Sequence, residues 1–337
     1  MAVTMQDVSV LAGVSIKTVS NVINDFPHVR EHTRHKVLEA IKTLGYTPNH
    51  SARSLRSGRT NVISLMIPNL RNAYFAELAD SVMQAAADAG LAVLIEQFGD
   101  DRPHELGVLR HPHARMVDGV LHSVLALDEA GAGLIGDLTT PVVLLGDRNF
   151  ASPRDHVIIQ NTEGARAATE HLLASGRRRI VAFGAHPGEV TGSAALRLEG
   201  YRQALAAADI PFDPSLVVPV SFWHRHNGAE GMRDFLAAGA SFDGVVAFND
   251  AIALGALRAF QEAGRRVPED VAVIGFDDID ETRYSIPTLS TIDPGRDEIA
   301  RAAVDLLVRR IEGDDAPFVP EAIEVPFRLV ERESSAS

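Results

Sequence analysis

Residues 3–24 read VTMQDVSVLAGVSIKTVSNVIN. Thr4 and Asp7 have the spacing of a capping box, which predicts that a helix begins directly after Thr4. Gly13 can adopt the left-handed conformation that ends such a helix, and Ser15 can cap a second helix. Two short helices joined by a tight glycine turn are typical of a helix-turn-helix unit.

A third helix completes this pattern, because Thr33 can cap it and Gly45 can end it. In a helix-turn-helix unit the second helix enters the major groove with its N-terminal side chains on the base edges. On the second helix, predicted from Ile16 to Asn24, Lys17 can donate to guanine and Asn21 can pair with adenine. The residues alone fit a plain three-helix bundle with a solvated polar face equally well.

The charge of the chain is unevenly distributed. The 337 residues carry a net charge of −13, but residues 1–60 contain eight Lys or Arg and four Asp or Glu, a local charge of +4. The rest of the chain therefore carries −17. A small basic segment on an acidic body indicates a phosphate-binding module fused to a second domain, although chance alone can produce such an asymmetry.

The composition excludes several classes of protein. The length predicts two or three compact units, and no apolar run is long enough to span a bilayer. Because the chain has no cysteine, disulfides, thiolate metal sites and cysteine nucleophiles are excluded. The N-terminus lacks the charged and apolar regions of a secretion signal, so a cytoplasmic protein is expected.

From Asn61 onward, apolar runs alternate with alanine-rich amphipathic stretches, which predicts an α/β fold with parallel sheets covered by helices. Ligands of such sheets bind beyond the carboxyl ends of the strands. Polar residues follow four predicted strands: Asn69, Asp147 with Arg148, Asn249 with Asp250, and Asp277 with Asp278. Some of these only cap helices, as we expect for Asp250. With the nearby aromatic residues they predict a cleft for a polyhydroxylated ligand; these are Tyr74, Phe75, Phe222 and Trp223.

Two groups of motifs extend over the chain. The first group is Val3–Val8, Ala12–Ser15, Thr18–Ser20, Val22–Asn24, Thr33–Arg34 and Leu44–Asn49. The second is Ala73–Phe75, Ser193–Tyr201, Asn249–Asp250, Ala253–Gly255 and Gly275–Asp278. With these motifs the chain resembles the lactose-repressor family from Val3 to about Val330. The resemblance implies a three-helix helix-turn-helix domain followed by a periplasmic-binding-protein-like sensor of two doubly wound α/β lobes.

The resemblance also implies a function. It indicates a repressor that binds a palindromic operator as a homodimer and responds to a small-molecule effector, a sugar or sugar derivative. Neither catalytic residues nor a cofactor or metal are expected. The ten-residue segment from Asn49 to Gly58 is also compatible with a flexible linker, but the resemblance implies a hinge helix that forms on DNA. In that helix Leu55 is the minor-groove wedge and Ala52 contacts the partner helix.

The resemblance assigns DNA contacts residue by residue. Base-reading positions are Ile16, Lys17 and Asn21. Phosphate-binding positions are Thr4, Ser15, Thr18, Ser20, Asn24 and Tyr46. The hinge adds Asn49, Ala52, Arg53, Leu55 and Arg56, with both arginines able to contact phosphates.

Effector contacts are assigned in the same way. Arg197, Asn249 and Asp277 take effector-binding positions, and the cleft is lined or completed by Phe75, Asp147, Trp223, Asn72, Tyr74 and Asn161. Gln160 stands where many relatives have an acidic residue, so the resemblance does not assign a particular sugar.

The expected organisation is a DNA-binding domain at 1–48, a hinge at 49–60, an effector-binding domain at 61–330 and a tail at 331–337. Lobe 1 is predicted at about 61–159 with 290–318, and lobe 2 at about 160–289 with 319–330. No room remains for a heptad-repeat tetramer helix, which favours a dimer.

Alternative functions rest on weaker signals. Gly131–Gly136 fits the dinucleotide fingerprint of an NAD-dependent oxidoreductase, but Asp147 follows it too early for the usual βαβ unit. The histidine pairs His111/His113 and His224/His226 lack metal-ligand spacing, so solvated loop positions are expected. A secreted sugar-binding protein would share the fold of the body but not the N-terminal helices.

Overall fold

The structure, a computed structural model, describes residues 3–23, 26–46, 59–99, 104–105, 107, 116–124, 135, 138–146, 153–313 and 318–336. It divides into two compact units, which we call the head (residues 1–60) and the body (residues 61–337). Within the described ranges, no helix is long and apolar enough to cross a membrane.

The head contains three helices, α1 (Met5–Ala12), α2 (Ile16–Ile23) and α3 (Glu31–Leu44). The predicted capping box is present: the Thr4 hydroxyl accepts from the Asp7 backbone N–H, and the Asp7 carboxylate accepts from the Thr4 N–H at 2.9 Å. Gly13 ends α1 in the left-handed conformation, as predicted.

The start of α3 differs from the prediction. The helix begins at Glu31, two residues before Thr33. The N–H of Thr33 already bonds the carbonyl of Arg30 at 2.9 Å, so Thr33 lies inside the first turn and cannot cap it. The predicted end is confirmed, because Gly45 closes α3 in the left-handed conformation.

A small apolar core holds the head together. Its buried members come from all three helices and from the residue after α3; they are Val8, Val19, Val22, Val37, Ala40 and Tyr46. Because α2 contributes Val19 and Val22 to this core, Lys17 on the opposite side of α2 stays exposed, and Ile16 at the start of the helix is exposed as well.

The body consists of strands that alternate with helices. In chain order its elements are β1 (Val62–Ile67), α4 (Ala73–Asp88), β2 (Ala92–Gln97), β3 (Gly119–Ser123), β4 (Val142–Leu145), β5 (Asp155–Ile159), α5 (Asn161–Ala174), β6 (Ile180–Ala185), α6 (Ser193–Ala207), β7 (Val217–Pro219), α7 (Arg225–Ala237), β8 (Gly244–Ala247), α8 (Asp250–Glu262), β9 (Ala272–Phe276), β10 (Ser290–Asp293), α9 (Arg296–Glu312), β11 (Ala322–Val325) and β12 (Arg328–Val330). The central strands are buried along their whole length, as is usual for parallel sheets covered on both faces.

These strands form two six-stranded sheets. The first has the order β11-β5-β4-β3-β1-β2 and the second the order β12-β10-β9-β8-β6-β7. Every pair is parallel except β10 with β12. We call the first sheet with α4 and α9 lobe 1, and the second sheet with α5 to α8 lobe 2. The predicted fold of two parallel α/β lobes is confirmed.

The predicted lobe boundaries differ from the structure at two strands. Ser290–Asp293 was expected in lobe 1 but pairs with β9 in lobe 2, whereas Ala322–Val325 was expected in lobe 2 but pairs with β5 in lobe 1. Both strands are short and lie next to points where the chain crosses between the lobes. Their own residues do not indicate the pairing partner, which decides the lobe.

The predicted tail also differs, because residues 331–336 pack against lobe 2. Ser334 and Ser335 are buried, and Ser334 bonds the backbone of Val273 through both its carbonyl and its hydroxyl, at 2.8 and 2.7 Å. The Arg332 guanidinium pairs with the Asp278 carboxylate at 2.6 Å. Residues 331–336 are therefore part of the same lobe that carries Asp277.

Candidate ligand cleft and nucleic-acid interface

A cleft of about 340 Å³ is lined by residues of both lobes. Lobe 1 contributes the turn after β1 and the first residues of α4, and lobe 2 contributes the ends of β6, β8 and β9 with the first turn of α6. The lining residues of both lobes therefore follow the carboxyl ends of parallel strands, where ligands of such sheets bind.

Most of the predicted effector residues meet in this cleft. Seven of the nine line it: Asn72, Tyr74, Phe75, Arg197, Trp223, Asn249 and Asp277. Asn161 does not line the cleft, but its side-chain oxygen accepts from Arg197 Nε at 2.7 Å. Asp147 lies outside the described residues.

Arg197 is the buried cation of the cleft, with 4% of its surface exposed. Its guanidinium donates to Asn161 and to the carbonyl of Phe248, and it lies 3.9 Å from the Asp277 carboxylate. The ring of Phe276 packs against it with the centroid 3.6 Å away, and Trp223 lies at 5.2 Å. These contacts hold the guanidinium in place, so a ligand oxygen would meet a preoriented donor.

Asn249 and Asp250 have different roles, one as a helix cap and the other as a buried hydrogen-bond acceptor. The sequence did not show which residue has which role. Asn249 caps α8, since its side-chain oxygen accepts from the N–H of Ile252 at 2.9 Å. Asp250, expected to be the cap, is instead fully buried and accepts from the Thr291 hydroxyl at 2.6 Å and the Ile279 N–H at 3.1 Å. Burial raises the pKa of Asp250 to about 7, despite these two hydrogen bonds.

The turn that carries Asp277 has an unusual backbone conformation. Asp277 has φ 125° and Asp278 has φ 49°, a backbone region that residues other than glycine rarely adopt. The turn is held by the Asp277 N–H on the Ile292 carbonyl at 2.8 Å and by the pair of Asp278 with Arg332. Backbone strain of this kind concentrates at functional sites. The strained turn carries Asp277, which lines the cleft.

His186 and Glu189 are among the polar residues of the cleft that the sequence did not predict. His186 Nδ1 lies 2.9 Å from the Glu189 carboxylate, whose other oxygen accepts from the N–H groups of Ala194 and Ala195 at the start of α6. The imidazole also packs on Trp223, with ring centroids 5.2 Å apart. A signal existed, because His186 directly follows the buried strand β6, just as Asp277 follows β9.

The two histidines of the pair His224/His226 have different surroundings: His226 is exposed on α7, whereas His224 is half-buried in the loop before that helix. His224 lines the cleft and precedes the first residue of α7. Among the described residues, no group of three or more histidine, cysteine or acidic side chains could hold a metal ion. His111, His113 and the fingerprint Gly131–Gly136, apart from Ile135, lie outside the described residues.

In the head, the exposed part of α2 carries the predicted base-reading residues. Ile16 and Lys17 are exposed, while Ser20 and Asn21 are half-buried. Ser15 accepts from the N–H of Thr18 at 3.1 Å and so caps α2 as predicted.

The remaining predicted DNA contacts have different surroundings. Thr4 is part of the capping box, and Tyr46 is buried in the core of the head with 8% exposed. Six predicted contacts lie outside the described residues: Asn24, Asn49, Ala52, Arg53, Leu55 and Arg56.

A basic three-helix head and a two-lobed α/β body with a polar cleft define a class of protein, the transcriptional regulator with a helix-turn-helix domain and a ligand sensor. Residues 4–49 match the model of bacterial regulatory proteins of the lacI family, and residues 169–335 match the periplasmic binding protein-like domain. The transcriptional regulator CelR of Thermobifida fusca is 35% identical over 98% of this chain and 98% of its own length. The chain therefore belongs to the lacI family, which confirms the resemblance found in its motifs.

Solved structures similar to the chain include three that differ in their source and bound ligands. A LacI-family regulator from Sanguibacter keddieii is 49% identical and covers 83% of this chain and 100% of its own, with a TM-score of 0.76. The CelR–cellobiose complex is 31% identical over 98% and 99% of the two chains, with a TM-score of 0.72. The lac repressor dimer bound to operator and the anti-inducer ONPF is 28% identical over 100% of both chains, with a TM-score of 0.86.

Proposed function

We propose that this transcriptional regulator is a repressor that binds a palindromic operator as a homodimer and releases or gains it in response to a sugar or sugar derivative. The observation that carries the proposal is the cleft, in which a buried arginine, a strained aspartate and aromatic side chains converge from two lobes. The similarity to an operator-bound lac repressor dimer and to a cellobiose complex supports it.

The chemistry of the cleft suits a carbohydrate. Sugar hydroxyls can donate to the Asp277 carboxylate and accept from the Arg197 guanidinium, and such charge-assisted hydrogen bonds contribute about 1.5–3 kcal/mol each. The rings of Phe75 and Trp223 offer apolar surfaces for the C–H faces of a pyranose. The cleft is therefore suited to a ligand with both oxygens and C–H faces.

The head supplies sequence recognition. Lys17 and Asn21 on α2 would read base edges, while Leu55 would enter the minor groove between the two hinge helices. Binding of an effector that prefers one arrangement of the lobes would shift the population of that arrangement and thereby change operator affinity. No catalytic step belongs to this cycle, in keeping with similar chains that are named as regulators.

Fluorescence anisotropy tests the proposal with the full chain and palindromic duplexes from its own promoter region, compared with scrambled duplexes. We expect preferential binding to a palindrome, with one dimer per duplex and a strong dependence on salt. A panel of mono- and disaccharides that includes cellobiose should contain a compound that changes this affinity. Equal affinity for all duplexes would contradict the DNA half of the proposal. Strict indifference of operator binding to every saccharide would contradict the sugar half.

A further inference from the structure

Glu77 on α4 connects the two lobes directly. One carboxylate oxygen accepts from the backbone N–H of Asp280 in lobe 2 at 2.9 Å. The other oxygen pairs with the guanidinium of Arg296 at 2.8 Å. Arg296 is the first residue of α9, at the point where the chain returns from β10 in lobe 2 to lobe 1.

The same arginine reaches the strained turn of the cleft. Its second terminal nitrogen lies 3.4 Å from the carbonyl oxygen of Asp277 and 3.5 Å from that of Asp278. Glu77 and Arg296 have side chains that are only 24% and 20% exposed, so their attraction is less screened than that of a surface pair.

These contacts involve the same helix and the same turn that form two walls of the cleft. Tyr74 and Phe75, which line the wall from lobe 1, lie within one turn of Glu77 on α4. Asp277, which lines the wall from lobe 2, belongs to the turn that Arg296 and Glu77 hold through the backbone. A ligand that moves either wall must therefore move one side of this set of bonds.

We propose that Glu77, Arg296 and the backbone N–H of Asp280 form an interlobe latch that sets the angle between the lobes and carries the effector signal from the cleft toward the hinge at residues 49–60. The structural part concerns the body alone, and the signalling part rests on the proposed function. Glu77 and Arg296 are thus positioning residues, which act on Asp277 and on lobe 1 and need no contact with the effector.

The local electrostatics fit a contact that holds but can open. Burial raises the pKa of Glu77, and the pair with Arg296 together with the hydrogen bond from Asp280 opposes that rise. Neighbouring carboxylates of Asp280 and Glu281 add to it. The net result is a raised pKa, so burial disfavours the charged form that makes these bonds.

Spin labels can measure the lobe angle, because the chain contains no cysteine of its own. Ala87 on α4 and Ala206 on α6 are exposed alanines on different lobes, and both can be changed to cysteine for labelling. Electron–electron distance measurements then give the interlobe distance distribution, and each single-label variant supplies the background between subunits. The latch variants are Glu77→Ala and Arg296→Ala, with Glu77→Gln as a milder form should Glu77→Ala fail to fold.

Arg301→Ala is the matched control, since Arg301 lies on the same helix and pairs with Glu298 in an exposed i,i+3 contact within lobe 1. The latch variants should move and broaden the distance distribution, and Arg301→Ala should retain that of the wild type. Unchanged distributions in the latch variants, or an equal change in Arg301→Ala, would overturn the latch.

Operator affinity without added effector, measured in the same variants, tests the signalling part. A latch that carries the signal changes this affinity by about fivefold or more in Glu77→Ala, a typical allosteric coupling. An altered lobe angle with wild-type operator affinity would overturn the signalling role. Failure of the wild-type protein to bind any operator would refute the proposed function, while the distance distributions would still decide whether the latch exists.

Discussion

The hydrogen bonds of the head and those of the cleft differ in how far apart their partners lie in the sequence. In the head, the capping box joins residues three apart and the cap of α2 does the same. In the cleft, Arg197 contacts residues 36 and 51 positions away, and the latch joins residues 203 positions apart. A substitution in the head should therefore act locally, whereas one in the cleft should affect the stability and the function of the body together.

Arg197→Ala tests this contrast with the largest expected effect. The substitution removes a buried guanidinium that donates to the oxygens of Asn161 and Phe248 and lies 3.9 Å from the Asp277 carboxylate. We expect the free energy of unfolding to fall by about 3–5 kcal/mol, which is typical when one partner of a buried pair is removed. Effector affinity should fall tenfold or more. Thermal unfolding and calorimetry measure both quantities.

Arg166→Ala is the control, because Arg166 is half exposed and its partner Glu170 lies one turn away on the same helix. Its unfolding should be close to that of the wild type. If Arg197→Ala lost effector affinity with an unchanged melting temperature, then the long-range contacts of the cleft would not stabilise the body.

Asp250 gives the body a pH dependence of known sign. Its pKa is raised by burial from 3.8 to about 7, so the unfolded chain ionises this group first as the pH rises. Its stabilising contribution is complete below about pH 4 and is lost as the pH rises through about 7. Asp250→Asn should remove that loss, so the difference in unfolding free energy between variant and wild type should change with pH across this window.

Melting temperatures between about pH 4.5 and 7.5 measure the effect, since the window follows from the pKa of Asp250. Asp270→Asn is a control in the same lobe, because its exposed pair with Arg266 lowers the pKa of Asp270 to about 2, outside the window. Parallel curves for Asp250→Asn and wild type would show that Asp250 does not titrate there.

Lys17→Ala and Asn21→Ala should have smaller effects, which concern only the recognition of the DNA sequence. Each removes a base contact from α2, so the preference for operator over scrambled DNA should fall by about 1–3 kcal/mol for a bidentate contact and less for a single one. Anisotropy titrations on the two duplexes measure the preference. Lys36→Ala on α3 removes the same charge outside α2 and should weaken the binding of both duplexes equally. A loss of effector affinity in Lys17→Ala would contradict the local character of the head.

Thr4→Ala is expected to have the smallest effect, about 1 kcal/mol, because it removes one helix cap. Hydrogen exchange of the full chain should become faster in α1 and remain unchanged in the body. Protection lost equally in head and body would mean that the two units unfold together.

The contrast between local and long-range contacts also explains what the sequence could predict. The capping box, Gly13, Ser15 and the strands with continuous apolar runs depend on nearby residues, and these predictions are confirmed. The fold class followed from the alternation of such strands with helices. The predicted start of α3 was wrong because the N–H of Thr33 already bonds the backbone carbonyl of Arg30, so the helix begins before Thr33.

The features that the sequence did not predict depend mainly on partners that lie far apart in the chain. The lobe of β10 and β11 depends on which strand pairs with them, and the burial of Asp250 depends on Thr291 and Ile279. His186 was overlooked because a single histidine after a strand becomes informative only beside Glu189 and Trp223. Seven cleft residues were nevertheless found, because their motifs carry the resemblance to the family.

The docked segment 331–336 has a consequence for genetics. A stop codon at position 332 removes Arg332, which pairs with Asp278, and Ser334, which bonds Val273. Such an allele should behave as a defect in induction or corepression, although it maps well after the codons of the cleft residues. Selections for regulators that ignore their effector should therefore recover mutations there as well as around Arg197.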